Sequence, residues 1–149
     1  MIIEMRKILT CADEGLTSKV KRKFLVPGEN VTWDECCEGQ LWVRAISKTP
    51  RMAKTKGASP DPLCMLLGVD LQLGVGVIRC QSGLNSRDGI PAPSQYTADA
   101  ELMAADSEDI YRALVCCSDL TLTLDRWTSL GPEGGCFGGE WIVKVFVKI

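Results

Sequence analysis

Eight cysteines and no histidine set the chemical limits of this chain. Cys11, Cys36, Cys37, Cys64, Cys80, Cys116, Cys117 and Cys136 include two adjacent pairs but no Cys-x-x-Cys. That spacing does not match a zinc site, and no histidine can complete a mixed one. Nor can a Ser-His or Cys-His nucleophile pair exist. Neighbouring cysteines in a strand or helix point in different directions, so one of each adjacent pair is expected in the core and the other elsewhere. Buried free thiols acting as small hydrophobes are the expectation. Disulfides formed outside a reducing cytosol are the alternative.

Three other stretches have residue types that could do chemistry. The turn Gly131 to Gly139 holds five glycines. A glycine-rich loop cradles phosphate when a helix follows it, but here a strand pattern follows and no Gly-Lys-Ser/Thr is present. Gly74-Val-Gly76 lacks the third glycine and the helix of a dinucleotide fingerprint. Asp34, Glu35 and Glu38 crowd one turn without calcium-loop spacing and without a partner base, so they are expected to be solvated turn acids. No catalytic, cofactor-binding or metal-binding residue is assigned, and no cofactor is expected. The expectation is a protein that is not an enzyme, with a small cysteine-dependent enzyme as a distant alternative.

The elements around these residues follow from hydrophobic period. Met5, Leu9, Ala12 and Leu16 mark one face of a short helix over residues 3–16, with Gly15 as a stop. Ser18 to Glu29 is polar and basic, ends in Pro27-Gly28, and is expected to be a loop or arm. Val31-Thr-Trp33 predicts a short strand, and Gln40 to Ser47 a longer one. Lys48 to Pro62, with three prolines and four basic residues, is the clearest loop. Leu63 to Cys80 is a long strand region in which Val69, Leu71, Leu73, Val75 and Val77 share a face. Gln81 to Pro93 is a loop. Ser94 to Cys117 is the main helical segment, interrupted at Asp106-Ser-Glu-Asp109 by either a bend or a junction, with Ser107 as a cap if two helices meet. Leu120, Leu122 and Leu124 alternate in a further strand. The closing strand sets Trp141, Val143, Val145, Val147 and Ile149 against Ile142, Lys144, Phe146 and Lys148. Segregated strands and helices predict an α+β fold. It would have a mostly antiparallel sheet, one main helical segment packed across it, and a short N-terminal helix.

The 149 residues suit a single domain, divided into an N-terminal helix and arm (1–30) and a sheet-plus-helix core (31–149). No apolar run reaches the ~20 residues needed to span a bilayer, so no membrane partner is expected. The start lacks the order of a secretion signal, and the chain is expected to be made in the cytoplasm. Net charge is −2 but uneven, with +4 over residues 1–56 and −6 over residues 57–149. Opposed patches of this kind suit contacts between copies. Lys19 to Lys23 is too short a basic run, and too poor in aromatics, to argue nucleic-acid binding. Trp33, Trp42, Trp127 and Trp141 are expected to be core anchors more often than interface anchors.

Three phrases together carry a family resemblance. They are Leu25-Val-Pro-Gly-x-x-Val-x-Trp-Asp34 followed by Cys37-x-Gly-Gln-Leu-Trp-Val-Arg44; Leu73-Gly-Val-Gly-Val-Ile-Arg-Cys80; and Trp127-x-x-Leu-Gly-Pro-x-Gly-Gly-Cys-x-Gly-Gly-x-Trp141. They span about residues 25–149 and resemble the head-to-tail connector and tail proteins of long-tailed bacteriophages that infect actinobacteria. The element order is similar to that of the tail terminators. The resemblance implies a homohexameric ring that caps the tail tube, stops its growth and joins the tail to the neck of the virion. It implies the tail tube protein and a head–tail stopper or connector as partners, and contact with phage DNA in the lumen. Another neck component, a stopper or connector, is the alternative. The candidate interface residues are Lys48, Arg51, Lys54, Lys56 and Arg87 in the basic loops, and Gly134, Gly135 and Phe137 in the glycine turn.

Overall fold

In a computed structural model, residues 1–52, 66–83, 89–117 and 119–149 are described. Helix α1 spans Ile2–Gly15, and strand β1 spans Arg22–Val26. A single 3-10 turn follows at Cys36–Glu38, then β2 (Gln40–Met52), β3 (Leu66–Cys80), helix α2 (Pro93–Val115), β4 (Thr121–Glu133) and β5 (Cys136–Lys148). The fold is α+β. Five strands form one sheet in the order β1-β2-β3-β5-β4. Every pairing is antiparallel except β1 with β2.

Strand alternation gives the sheet two different faces. Leu41 and Val43, Leu71 to Val77 at every second residue, and Val143 and Val145 form one face. Against it pack Met5, Ile8 and Ala12 of α1, and Ile110 and Leu114 of α2. Each such fully buried aliphatic side chain contributes ~1.5–3 kcal/mol, so this layer is the main source of stability. The other face holds a smaller cluster at one end. Trp42 and Ile78 meet Val26, Cys36 and Cys136, flanked by Phe24, Val31 and Trp33. Trp42 lies so close to Gly76 that a Cβ there would stand 2.2 Å from the indole. On the helix side a Cβ at Gly15 would stand 2.3 Å from Cβ of Ala113, so glycine allows α1 to approach α2.

Several elements differ from the expectations. The arm at 18–29 contains a sheet strand. In β1, Phe24 and Val26 join the Trp42 cluster while Leu25 turns to the helix side, a short alternation masked by Arg22 and Lys23. Val31 to Trp33 is not a strand but irregular chain laid over that cluster. The expected loop at Lys48 begins later, because β2 runs to Met52. Pro50 fits there because, among the described residues, β2 beyond Arg44 has β3 on one side only, and an edge position needs no donor from it. The rest of that loop, 53–62, lies outside the described residues. The glycine turn narrows to Gly134 and Gly135, both at positive φ, while Cys136 to Gly139 already pair with β3.

α2 is one continuous helix. Pro93 occupies its first turn, and the Gln95 side chain accepts the Ala92 N–H at 2.6 Å. Asp106 does not break it. The carboxylate faces inward and receives a two-pronged contact from Arg79 of β3, at 2.6 and 2.8 Å, so a charged residue occupies a core-facing position. Ser107 is inside the helix, and its carbonyl accepts the Trp141 indole N–H at 2.9 Å.

The cysteines are cross-linked. Cys11 pairs with Cys117, Cys36 with Cys136, and Cys37 with Cys80. The expectation of free thiols is corrected at six positions: the fold sets their Cα atoms 4.2–5.9 Å apart, which lets the side chains meet. The expected split within each adjacent pair holds, with Cys36 and Cys117 buried and Cys37 and Cys116 exposed. Cys116 is a free thiol, and Cys64 lies outside the described residues.

Candidate assembly interface

β2 and β4 present the surfaces that could meet another protein. β1 covers β2 only from Gln40 to Arg44. Among the described residues, 45–52 of β2 have no strand on that side. β4 closes the opposite edge, and among the described residues its only strand partner is β5. Its polar residues Thr121, Thr123 and Asp125 are exposed, while Leu122 and Leu124 turn toward the core. Each free edge offers a row of backbone donors and acceptors to an incoming strand.

Between these edges, the sheet face away from the helices is an open groove of about 560 Å³ lined by both polar and apolar side chains. A register shift between Ala45 and Ser47 of β2 decides which β2 residues line it. The shift moves the odd-numbered residues of β2 onto this face, so Thr49 and Arg51 join Asp70 of β3 and Lys144 and Phe146 of β5. Arg51 contacts both Asp70 oxygens, at 2.5 and 3.0 Å, and its guanidinium stands 4.2 Å from the Phe146 ring centroid. The pair is solvent-exposed and of little worth to stability. Lys144 and Lys148 share the face.

Two charged clusters hold this frame. Glu140 of β5 accepts hydrogen bonds from Trp42 Nε1 at 2.9 Å and from two nitrogens of Arg44 at 2.8 and 2.6 Å. A second Arg44 arm donates to the Glu29 carbonyl, tying the 27–39 segment to the sheet. The hydrogen bond to Glu140 holds the Arg44 guanidinium above its ordinary range. Arg79 and Asp106 form the second cluster, joined by the Ser18 carbonyl. Burial pushes the Asp106 carboxyl up, against the pull of Arg79. Asp99 and Asp109 use their carboxylates differently, accepting the backbone N–H of Ser82 and of Thr17.

The expected interface residues separate. Lys48 and Arg51 are exposed on the outer half of β2. Gly134 and Gly135 form the turn at the other end of the sheet, about 30 Å from Lys48 and about 40 Å from Arg51 along β3 at 3.3 Å per residue. Phe137 is buried rather than presented, lining a pocket beside Tyr96 and Met103 of α2. Strand alternation accounts for this, since Phe137 begins the face that turns to α2. Lys54, Lys56 and Arg87 lie outside the described residues. Asp70, Lys144 and Phe146 were not singled out as site residues. The signal was present in Asp70, a charge set between apolar residues well inside a strand whose other charge, Arg79, stands at its end. The free edge of β4 has no local signature, because an edge is defined by what does not pair with it.

Among the described residues, no three His, Cys, Asp or Glu side chains gather as a metal site, and no helix is long and apolar enough to cross a membrane. No protein-family model matches the chain, and no curated protein matches it significantly.

Proposed function

We propose that this chain is an architectural virion protein, a tail terminator of a long-tailed bacteriophage, acting as a homohexameric ring at the junction of tail and neck. The phage assignment rests on the three sequence phrases, of which the most distinctive, Trp127 to Trp141, is the β4–β5 hairpin. The observation that carries the ring is the pair of unlike open edges on opposite sides of one sheet. A contact between two different patches repeats from copy to copy, and closes into a ring when its rotation divides a full turn. Charge points the same way: the outer half of β2 carries Lys48 and Arg51, whereas β4 carries Asp125 and Glu133 against the single Arg126.

The role needs no catalytic group and no cofactor. Its partners are further copies of the chain, the tail tube below, and a stopper or connector above. The basic outer end of β2 and the Gly134-Gly135 turn lie at opposite ends of the sheet, which suits a ring contacted from two sides. An open sheet under a 23-residue helix favours the terminator over a closed stopper barrel.

The test is native mass, measured for the protein alone and mixed with tail-tube protein. The expected result is a species of six times 16.3 kDa, formed alone or on the tube. A chain that stays at 16.3 kDa in both samples overturns the reading.

A further inference from the structure

The C-terminal ends of α1 and α2 bring three sulfurs to one place. Cys11 and Cys117 are bonded, with Cα atoms 5.9 Å apart. Cys116 precedes Cys117 at the C-cap of α2 and is a free, exposed thiol. All three line one surface depression of about 380 Å³, floored by Gly15 and Ala113, where the helices come closest. The same disulfide also lines a second depression of about 430 Å³, beside Arg6 and Lys7. The cross-link is therefore reachable from two sides, and its nearest neighbour in sequence is a nucleophile.

We propose that Cys116 and the Cys11–Cys117 disulfide form a thiol–disulfide exchange site. The Cys116 thiolate attacks Sγ of Cys11. A Cys11–Cys116 bond forms as the Cys11–Cys117 bond breaks, and Cys117 leaves as a thiolate that takes up the proton Cys116 gave up. One disulfide and one thiol stand on each side of the step, so no oxidant or reductant is consumed. The staple between the helices passes from a buried partner to an exposed one.

Reach is the limiting condition. Consecutive Cα atoms are about 3.8 Å apart, so Cys116 Cα lies within about 10 Å of Cys11 Cα, against the ~7 Å limit for a bridge. A shift of a few ångströms closes any gap. The residue that must shift is at the helix end, held by its N–H bond to the Arg112 carbonyl at 3.1 Å, while the last carbonyls of the helix have no helical partner. A buried thiol is a poor nucleophile, whereas Cys116 is open to water and able to start the exchange.

The test is to equilibrate the native, oxidised protein near pH 8, stop the exchange by lowering the pH, unfold the chain in denaturant with excess N-ethylmaleimide so that buried and exposed thiols are both labelled, and map the peptides without reduction. Fragment spectra distinguish Cys116 from Cys117. The expected result is label on Cys117 in at least about a tenth of molecules, as two similar disulfides exchange near balance. Label confined to Cys116 overturns the proposal. Cys117→Ser adds a test of reach. Treated with oxidised glutathione, it is expected to form a Cys11–Cys116 bond, whereas Cys11 and Cys116 both left open to alkylation in the folded variant also overturns it. Cys116→Ser is the control, expected to leave Cys11 and Cys117 unlabelled.

Discussion

Trp42 occupies the space that a side chain at Gly76 would fill. The two residues face each other across β2 and β3, and the indole stands where a Cβ would be. Gly76 has no positive φ, so the backbone alone would accept alanine with a gain of about 0.4–1 kcal/mol. Overpacking costs about 1–3 kcal/mol and wins. Gly76→Ala is therefore expected to destabilise, measured as a lower urea midpoint, together with a changed Trp42 fluorescence. An unchanged or raised midpoint would show that the indole does not lie there.

The indole is also held from its edge by Glu140. Glu140→Ala leaves the Trp42 N–H and two of the Arg44 nitrogens without their acceptor, with a cost of about 3–5 kcal/mol. Arg44→Ala strands the carboxylate in the same way. The double variant is expected to lose less than the sum of the two, with coupling of about 0.5–3 kcal/mol in a double-mutant cycle. Strict additivity would mean that the pair does not interact.

The sequence made half of this arrangement legible. Alternation through Val69–Val77 and Trp141–Ile149 predicts the strands and their apolar face, and Met5, Leu9, Ala12 and Leu16 predict α1. Arg44 and Glu140 lie 96 residues apart, and their pairing depends on strand order, which no local pattern specifies. The same limit hid the disulfides. Spacing shows which cysteines exist, whereas pairing needs the sheet built first. Asp106 misled for a different reason. A charge on a helix stripe reads as an interruption until Arg79, half-buried on β3, stands opposite. Short β1 was missed because basic residues outweighed five residues of alternation.

Asp106 makes a pH-dependent contribution whose sign follows from its burial. The folded carboxyl holds its proton at a higher pH than the ordinary value of about 3.9 in the unfolded chain. Its share of stability is therefore complete below that value and is lost as pH rises through the folded pKa. Asp106→Asn removes this dependence. The gap in stability between wild type and variant is expected to be wider at acid pH than at neutral pH, read from urea midpoints across that range. A gap that widens toward neutral pH would show that the pull of Arg79 prevails over burial.

The cross-links span long stretches of chain, and loop-closure entropy grows with that span. Cys36→Ser with Cys136→Ser opens a bridge of sequence separation 100, worth at most about 4–5 kcal/mol in the chain-entropy account. The expected fall in Tm is about 10–20 °C. Calorimetry of the variant, and of wild type with and without dithiothreitol, measures it. A Tm indifferent to reductant would mean that these thiols are not bonded.

Cys80 and Cys136 are register partners on β3 and β5, and each is bonded to one of the adjacent cysteines 36 and 37. The two strands are thus closed covalently at that end through a two-residue bridge. At the far end, Gly68 and Lys148 meet by backbone pairing alone. The sheet therefore has a mechanical direction. Tension at the Gly134-Gly135 end is carried by covalent bonds, while tension at the Lys148 end meets hydrogen bonds that separate one at a time. Such a body yields from one side only, so it matters which end of the sheet is pulled.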